Sequence, residues 1–175
     1  IGILLVFIFT KYILKQNVGH GIPTTLYAIS RTNGKIKRHN MFSSIVTSAL
    51  TVGFGGSVGL EGPTVATGAA WGSNIGRFFR LNYRQVMLLL ACAGAGAMSA
   101  IFKAPITAIV FVLEVIMLDL TIASLLPLLF ASVTAAITSY LFLGMDVLYP
   151  VEISEKFIIN DTPYYILLGI LAGLV

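Results

Sequence analysis

Charged residues are scarce in this sequence: Asp, Glu, Lys and Arg together make up 10% of the chain, against roughly a quarter in an ordinary soluble domain. With 57% hydrophobic residues and a mean hydropathy of +0.94, a soluble globular domain is excluded, because 175 residues cannot hide that much apolar surface in one core. The solvent such a composition calls for is a bilayer. Cysteine is nearly absent as well. The single Cys92 lies in the apolar run VMLLLACAGAGAM, which excludes an intrachain disulfide and a C-x-x-C metal or redox site. The chain also lacks H-E-x-x-H and G-K-[ST], and the run from Gly53 has Val58 where G-x-G-x-x-G needs its last glycine. Nothing here marks an enzyme, a cofactor or a metal site. A rival reading, a membrane enzyme with Glu61 and His20 or His39 in acid and base roles, lacks a third partner.

The basic residues outnumber the acidic ones, 11 to 7, for a net charge of +4 and a pI near 9.3. Spread over a soluble face they would point to nucleic acid, but they are confined to loops. Arg31, Lys35, Lys37 and Arg38 form one cluster, and Arg77, Arg80 and Arg84 another. Lys and Arg beside apolar helices favour the cytoplasmic side, so both loops are read as inside. Two passes separate them, which places the glycine-rich break GFGGSVGLEGP toward the outside. Three passes after Arg84 bring the acidic stretch 144–162, with Asp146, Glu152, Glu155 and Asp161, outside again.

A spanning helix needs about 20 mostly apolar residues, and several runs here fall short. Helices are expected over 1–16, from Pro23 to about Ser30, over 41–54, from Pro63 to about Phe79, over 85–101, 104–118 and 121–143, and from 164 onward. The absence of a starting Met, a signal peptide and a polar tail reads as a piece of something longer. The fold class is an all-α, multi-pass integral membrane protein with broken helices. Gly68, Gly72 and Gly76 recur every four residues, which puts them on one helix face for close backbone packing.

Glu61 stands out as a carboxylate inside TVGFGGSVGLEGPTVATGAAWG, with no Lys or Arg between Arg38 and Arg77. A charge at membrane depth costs at least about 2.5 kcal/mol and is kept mostly for ion or proton work; the plainer role is a helix cap near the outer interface. Pro63 is favoured at the first helical position, making Gly62 the cap and aiming free backbone N–H groups at the residue before it. Those donors and the helix dipole attract an anion, and Glu61 can fill the same place. It would then act as a gate, released by protonation or by a halide. Gly55, Gly56, Gly59 and Gly62 permit the irregular backbone this requires. Gly19-His20-Gly21-Ile22-Pro23 repeats the pattern, introducing a short helix whose start is expected to approach from the opposite side; an ordinary re-entrant turn has the same composition.

GSVGLEGPTVATGAAWGSNIGRFF resembles the G-[RK]-E-G-P segment of the CLC family of chloride channels and chloride/proton exchangers. AGAGAMSAIFKAPITAIVFVLEVI is similar to that family's next helix pair, and GHGIP to its first filter segment, G-S-G-I-P. The likeness covers most of residues 17–145 in order and spacing. It implies two inverted repeats of tilted, broken helices in a homodimer with one anion path per subunit, this chain (1–175) being a partial transmembrane domain with the first repeat and the start of the second. By the same likeness Glu61 is the external gating glutamate, Gly62 and Pro63 begin the helix that binds the outer anion, and Gly19, His20, Gly21, Ile22 and Pro23 form the inner filter turn. The helices near 104–118 and 121–143 would belong to the dimer face. The partners implied are chloride or similar anions, the lipid bilayer and a second copy.

Three positions depart from the family pattern. His20 replaces a serine that contacts the central anion, leaving two roles open, an imidazole donating to the ion or a ring turned away while backbone N–H groups bind. Leu60 replaces a basic residue before the gate. Val115 stands where proton-coupled members usually carry a second, inner glutamate, and a relay needs a titratable group; the likeness therefore favours a passive channel over an antiporter. A non-conducting structural subunit is the remaining alternative. Glu114 is read as a helix-end packing or hydrogen-bonding residue, Asp119 as a solvated helix end, and Lys103 as a side chain snorkelling to an interface and not part of the site.

Overall fold

The computed structural model of the chain describes residues 2–15, 21–116, 122–144 and 158–174. Among them are eight α-helices: α1 (Gly2–Ile8), α2 (Ile22–Arg31), α3 (Ser43–Gly53), α4 (Glu61–Phe78), α5 (Tyr83–Phe102), α6 (Pro105–Ile116), α7 (Ile122–Leu143) and α8 (Thr162–Leu174). No strand occurs among the described residues. The helices expected from the sequence are all present, with boundaries moved by a few residues. The largest difference is at the start, where the 1–16 run is not one α-helix: α1 widens into a π-turn over Phe9–Leu14. Thr10 sits at the join, its Oγ1 donating to the Val6 carbonyl at 2.9 Å and the Phe7 carbonyl at 3.1 Å, the kind of back-bonding that perturbs a helix ladder. At α5 the helix starts two residues early because Asn82 and Gln85 close a capping box, each side chain accepting from the other's backbone N–H, at 3.0 and 3.2 Å.

Helices α5 and α7 are long and apolar enough to cross a bilayer, whereas α3 and α6 are shorter apolar helices. At 1.5 Å per residue, the 12 residues of α6 cover well under the roughly 30 Å hydrocarbon thickness.

The centre of the bundle is the α4–α5 pair. A methyl group at Gly72 would lie 2.5 Å from the Leu89 carbonyl oxygen and 2.7 Å from the Leu90 Cα, one at Gly68 would meet the Ala93 carbonyl, and one at Gly76 would lie 3.1 Å from Val86 Cγ2. The partners run backwards along α5 as the glycines run forward along α4, so the two helices are antiparallel and their backbones touch. The glycine stripe is helix packing, as its spacing implied. Val65, Ala69, Ala70, Leu90, Ala91 and Ala95 fill the seam, and Val112 and Ile116 of α6 and Leu128 of α7 complete the core. Helix α7 lies parallel to α5, where Ser99 Oγ donates to the Ser132 carbonyl at 2.7 Å and Ser139 Oγ to the Ala100 carbonyl at 2.6 Å. Ser132 and Ser139 lie on the buried face of α7; Leu126, Phe130, Ile137 and Leu141 on its other side are exposed.

Candidate functional site

Two helix starts meet at one end of the bundle. A methyl group at Gly21 would lie 3.5 Å from the carbonyl carbon of Gly62 and 3.9 Å from its Cα, and one at Gly62 would lie 4.0 Å from Ile22 Cδ1. A methyl at either position would make only ordinary contact, but Gly21 takes a φ of +56°, which L side chains rarely adopt. The two helices run alongside each other in the same direction, because farther on the loop after α2 is bonded to the second half of α4. This corrects the sequence expectation of starts approaching from opposite sides. The physical reason is the short α2: its 10 residues end in a loop whose backbone needs partners, and α4 supplies them.

Both starts are uncapped. Gly21 has no side chain, and Leu60, the N-cap of α4, makes no side-chain cap hydrogen bond. Backbone pairing begins only at Thr25 (to the Gly21 carbonyl, 3.4 Å) and Thr64 (to the Leu60 carbonyl, 3.0 Å). The N–H groups of Ile22 and Thr24 and of Glu61 and Gly62 therefore lack an intrahelical acceptor, while Pro23 and Pro63 have no N–H to offer. Each helix start carries roughly half a positive charge. Placed side by side, two such ends repel, and negative charge between or beside them offsets the repulsion.

Glu61 is the first residue of α4, not the residue before it, so Gly62 is inside the helix and not its cap. Leu60 already has near-helical backbone angles, φ −90° and ψ −7°, which starts the helix two residues ahead of Pro63. The half-buried Glu61 carboxylate turns back over Gly59, where an added methyl would collide with Oε2. A negative group thus sits in the first turn, where the dipole favours it. The backbone before it is irregular through 54–60, with Gly55 at φ +86° and Gly56 N–H bonded to the Thr51 carbonyl at 2.9 Å.

Of the residues singled out in the sequence, Gly21, Ile22, Pro23, Gly62, Pro63 and Glu61 are gathered at these two starts. Gly19, His20 and Asp119 lie outside the described residues. Glu114 is near the end of α6 but exposed, so it is not packed. Lys103 does more than snorkel: at φ +53° it ends α5, and its Nζ donates to the Gly144 carbonyl at 2.6 Å and lies 5.1 Å from the Tyr140 ring centre.

The sequence reading missed how the basic loop is held. The Ile36 N–H donates to Ser73 Oγ at 3.0 Å, Ser73 Oγ donates to the Gly34 carbonyl at 2.5 Å, and the Ile36 carbonyl accepts from Arg77 at 2.8 Å and from Asn74 at 3.4 Å. Arg77 also donates to Asn74 Oδ1. The only sequence sign is Ser-Asn-x-x-Arg on one side of α4 beside a loop rich in turn residues. Both basic loops thus lie at one end of the bundle, as the charge pattern implied. Within the first loop, His39 is held below its ordinary pKa, chiefly by burial and then by Lys37.

The family described as voltage gated chloride channel matches residues 2–175. Among similar proteins, a ClcB-like protein of Ralstonia nicotianae is 31% identical over 168 residues, covering 94% of this chain and 39% of the relative. A voltage-gated ClC-type chloride channel, ClcB, of Escherichia coli is 29% identical over 153 residues, 87% of this chain and 36% of the relative. A protein of Methanocaldococcus jannaschii is 27% identical over 161 residues, 91% and 40%. The chain spans about two fifths of the length of the curated relatives it matches.

Proposed function

The chain belongs to the voltage-gated chloride channel family of integral, multi-pass membrane proteins, and from that premise we propose that the protein it is part of conducts chloride or similar anions, passively, past a protonatable gate at Glu61. The observation that carries this reading is the approach of two uncapped helix starts at Gly21 and Gly62. Backbone donors of Ile22, Thr24 and Gly62 supply hydrogen bonds to an anion without the charge of a lysine or arginine, so the ion is held weakly enough to leave. Gly19 and His20, outside the described residues, are assigned to the same path by the likeness of GHGIP to the family's filter segment.

The gate follows from competition. An ionised Glu61 and a halide are attracted by the same positive helix start; protonation removes the side chain's claim and admits the ion. Passive conduction is favoured over proton exchange because Val115, following Glu114, cannot relay a proton. Chemistry on a substrate has no nucleophile and base set to support it, so transport is preferred to an enzyme. The homodimer is part of the proposal, and the exposed side of α7 with Leu126, Phe130 and Ile137 supports an apolar partner there, a second copy or lipid.

The test is chloride flux through the full-length protein in liposomes, wild type against Glu61→Gln and His20→Ser. Glu61→Gln should conduct with little response to pH, and His20→Ser should alter anion preference while flux persists. Unchanged flux and pH response in Glu61→Gln would defeat the gate. A fixed ratio of protons moved against chloride would replace the channel with an antiporter.

A further inference from the structure

A cavity of about 190 Å³ opens beside α2, on the same end of the bundle as the basic loops, lined among others by Tyr27, Thr32, Lys35, Lys37, His39 and Asn40. We propose that it is a binding site for a phosphate monoester group, seated between Lys35 and Lys37 with His39 and Asn40 at its inner wall. Thr24 also borders the cavity, so this site adjoins the start of α2; it is read out by binding and stands or falls without any flux measurement.

Charge comes first. No Asp or Glu occurs before Glu61, so Lys35, Lys37 and Arg38 have no acidic neighbour in their own segment. Lys37 has extended backbone angles, φ −63° and ψ 142°, and burial alternates along 35–37 as in an extended segment: Ile36 is buried while Lys35 and Lys37 are exposed, and both lysines line the cavity. Ordinary loop lysines are mobile, but these leave a backbone pinned by Ser73, Asn74 and Arg77. The two side chains therefore start from fixed backbone positions before a ligand arrives, which lowers the backbone part of the ordering cost of binding.

Unpaired polar atoms come second. Asn40 is 8% exposed and its Oδ1 has no hydrogen-bond partner; His39 Nε2 is likewise buried and unpaired. Buried polar atoms left this way cost about 1–3 kcal/mol each, and both residues border the cavity. Both atoms are sealed from water as placed; a turn of the His39 ring and the Asn40 amide toward the cavity that both residues line would give Nε2–H and the NH₂ as donors to a phosphate oxygen or its first water. A dianionic group with three acceptor oxygens suits two lysines and these donors. The volume suits a single phosphate group, being below the roughly 300 Å³ and above of pockets that enclose drug-sized molecules.

Such a group reaches this end of the protein either on a lipid, as in phosphatidic acid, or free in solution. The experiment uses the full-length protein in detergent, measuring phosphatidic acid retained against phosphatidylcholine by native mass spectrometry, and the melting-temperature shift produced by inorganic phosphate. Wild type should retain phosphatidic acid preferentially, gain stability from phosphate, or both; retention alone assigns the lipid, and a phosphate shift assigns the free group. Lys35→Gln/Lys37→Gln should raise the concentration of phosphate or phosphatidic acid needed for either response at least about tenfold, the loss of roughly 1.4 kcal/mol or more, with the ligand-free melting temperature unchanged because both side chains are exposed. Arg84→Gln, a basic residue that does not line the cavity, should change that concentration less than about twofold by the weakness of screened surface charges. The proposal is overturned if wild type shows neither response, if the double variant responds like wild type, or if Arg84→Gln loses as much as the double variant.

Discussion

Ser73 shows how much one buried hydroxyl does in this bundle. It is fully buried, accepts from Ile36 and donates to Gly34, and so ties a loop 37 to 39 residues away in sequence to α4. Ser73→Ala leaves both backbone groups without that partner, and the melting temperature of the full-length protein should fall by an amount equivalent to about 1–3 kcal/mol; a change below about 0.5 kcal/mol, the size of an ordinary surface substitution, would mean that water replaces the hydroxyl. His39 makes a pH prediction. Its folded-state pKa is lowered by burial and by Lys37, so the neutral ring contributes stability above the unfolded value near 6.5, and that contribution is lost as the pH falls through the lowered folded value. His39→Gln should flatten the decline in melting temperature between about pH 7 and pH 5. A phosphate group bound beside Lys37 should act in the opposite direction on the ring, by holding its protonated form. Glu61 was visible as a lone carboxylate in a glycine-rich run, whereas Ser73, an unremarked residue in a small-residue helix, has a role that depends wholly on what lies opposite.

Among elements, the α4–α5 contact is the one most sensitive to a single methyl. Gly72 meets the backbone of Leu89 and Leu90 at 2.5 and 2.7 Å, while Gly94 on the facing helix would present a methyl at an ordinary 3.4 Å from Val65. Gly72→Ala should therefore cost about 1–3 kcal/mol through overpacking, measured by thermal unfolding of the full-length protein. Gly94→Ala should be near neutral, since the gain in helix propensity of up to about 1 kcal/mol offsets a mild contact. Equal effects at both positions would mean that the helices slide apart to make room. The four-residue glycine period made this contact legible in advance, because the period names a face. The relation of α2 to α4 was not legible: two Gly- and Pro-marked starts indicate where helices begin, but not their relative direction, which the loop bonds to Ser73, Asn74 and Arg77 set.

For the whole molecule, the charge pattern predicts that the basic loops face the cytoplasm and residues 55–59 the other side. Single cysteines at Arg38 and Ser57, both exposed, in a Cys92→Ala background, test this with a membrane-impermeant maleimide applied to oriented vesicles. Arg38→Cys should label only from the cytoplasmic side and Ser57→Cys only from the opposite side. Labelling of both from one side would remove the pass through α3 and α4 that the site requires. The described residues of α8 bury nothing, and Leu168, Ile170 and Leu171 are more than half exposed; in a bilayer protein whose relatives are over twice as long, such faces meet lipid or further chain.

Composition and periodicity alone determined that this is a helical membrane protein, where its helices begin, and that Glu61 is out of place by charge. These are local or additive properties: hydropathy sums along a run, proline and glycine act on their own backbone angles, and an isolated charge is isolated in any fold. The tertiary structure alone decided that Gly21 and Gly62 lie side by side, that α2 runs with α4, and that Ile36 locks the basic loop between Lys35 and Lys37 into place. Those facts come from contacts between distant segments, where the cost of leaving a backbone N–H or carbonyl unpaired selects one arrangement from several that the same local signals permit.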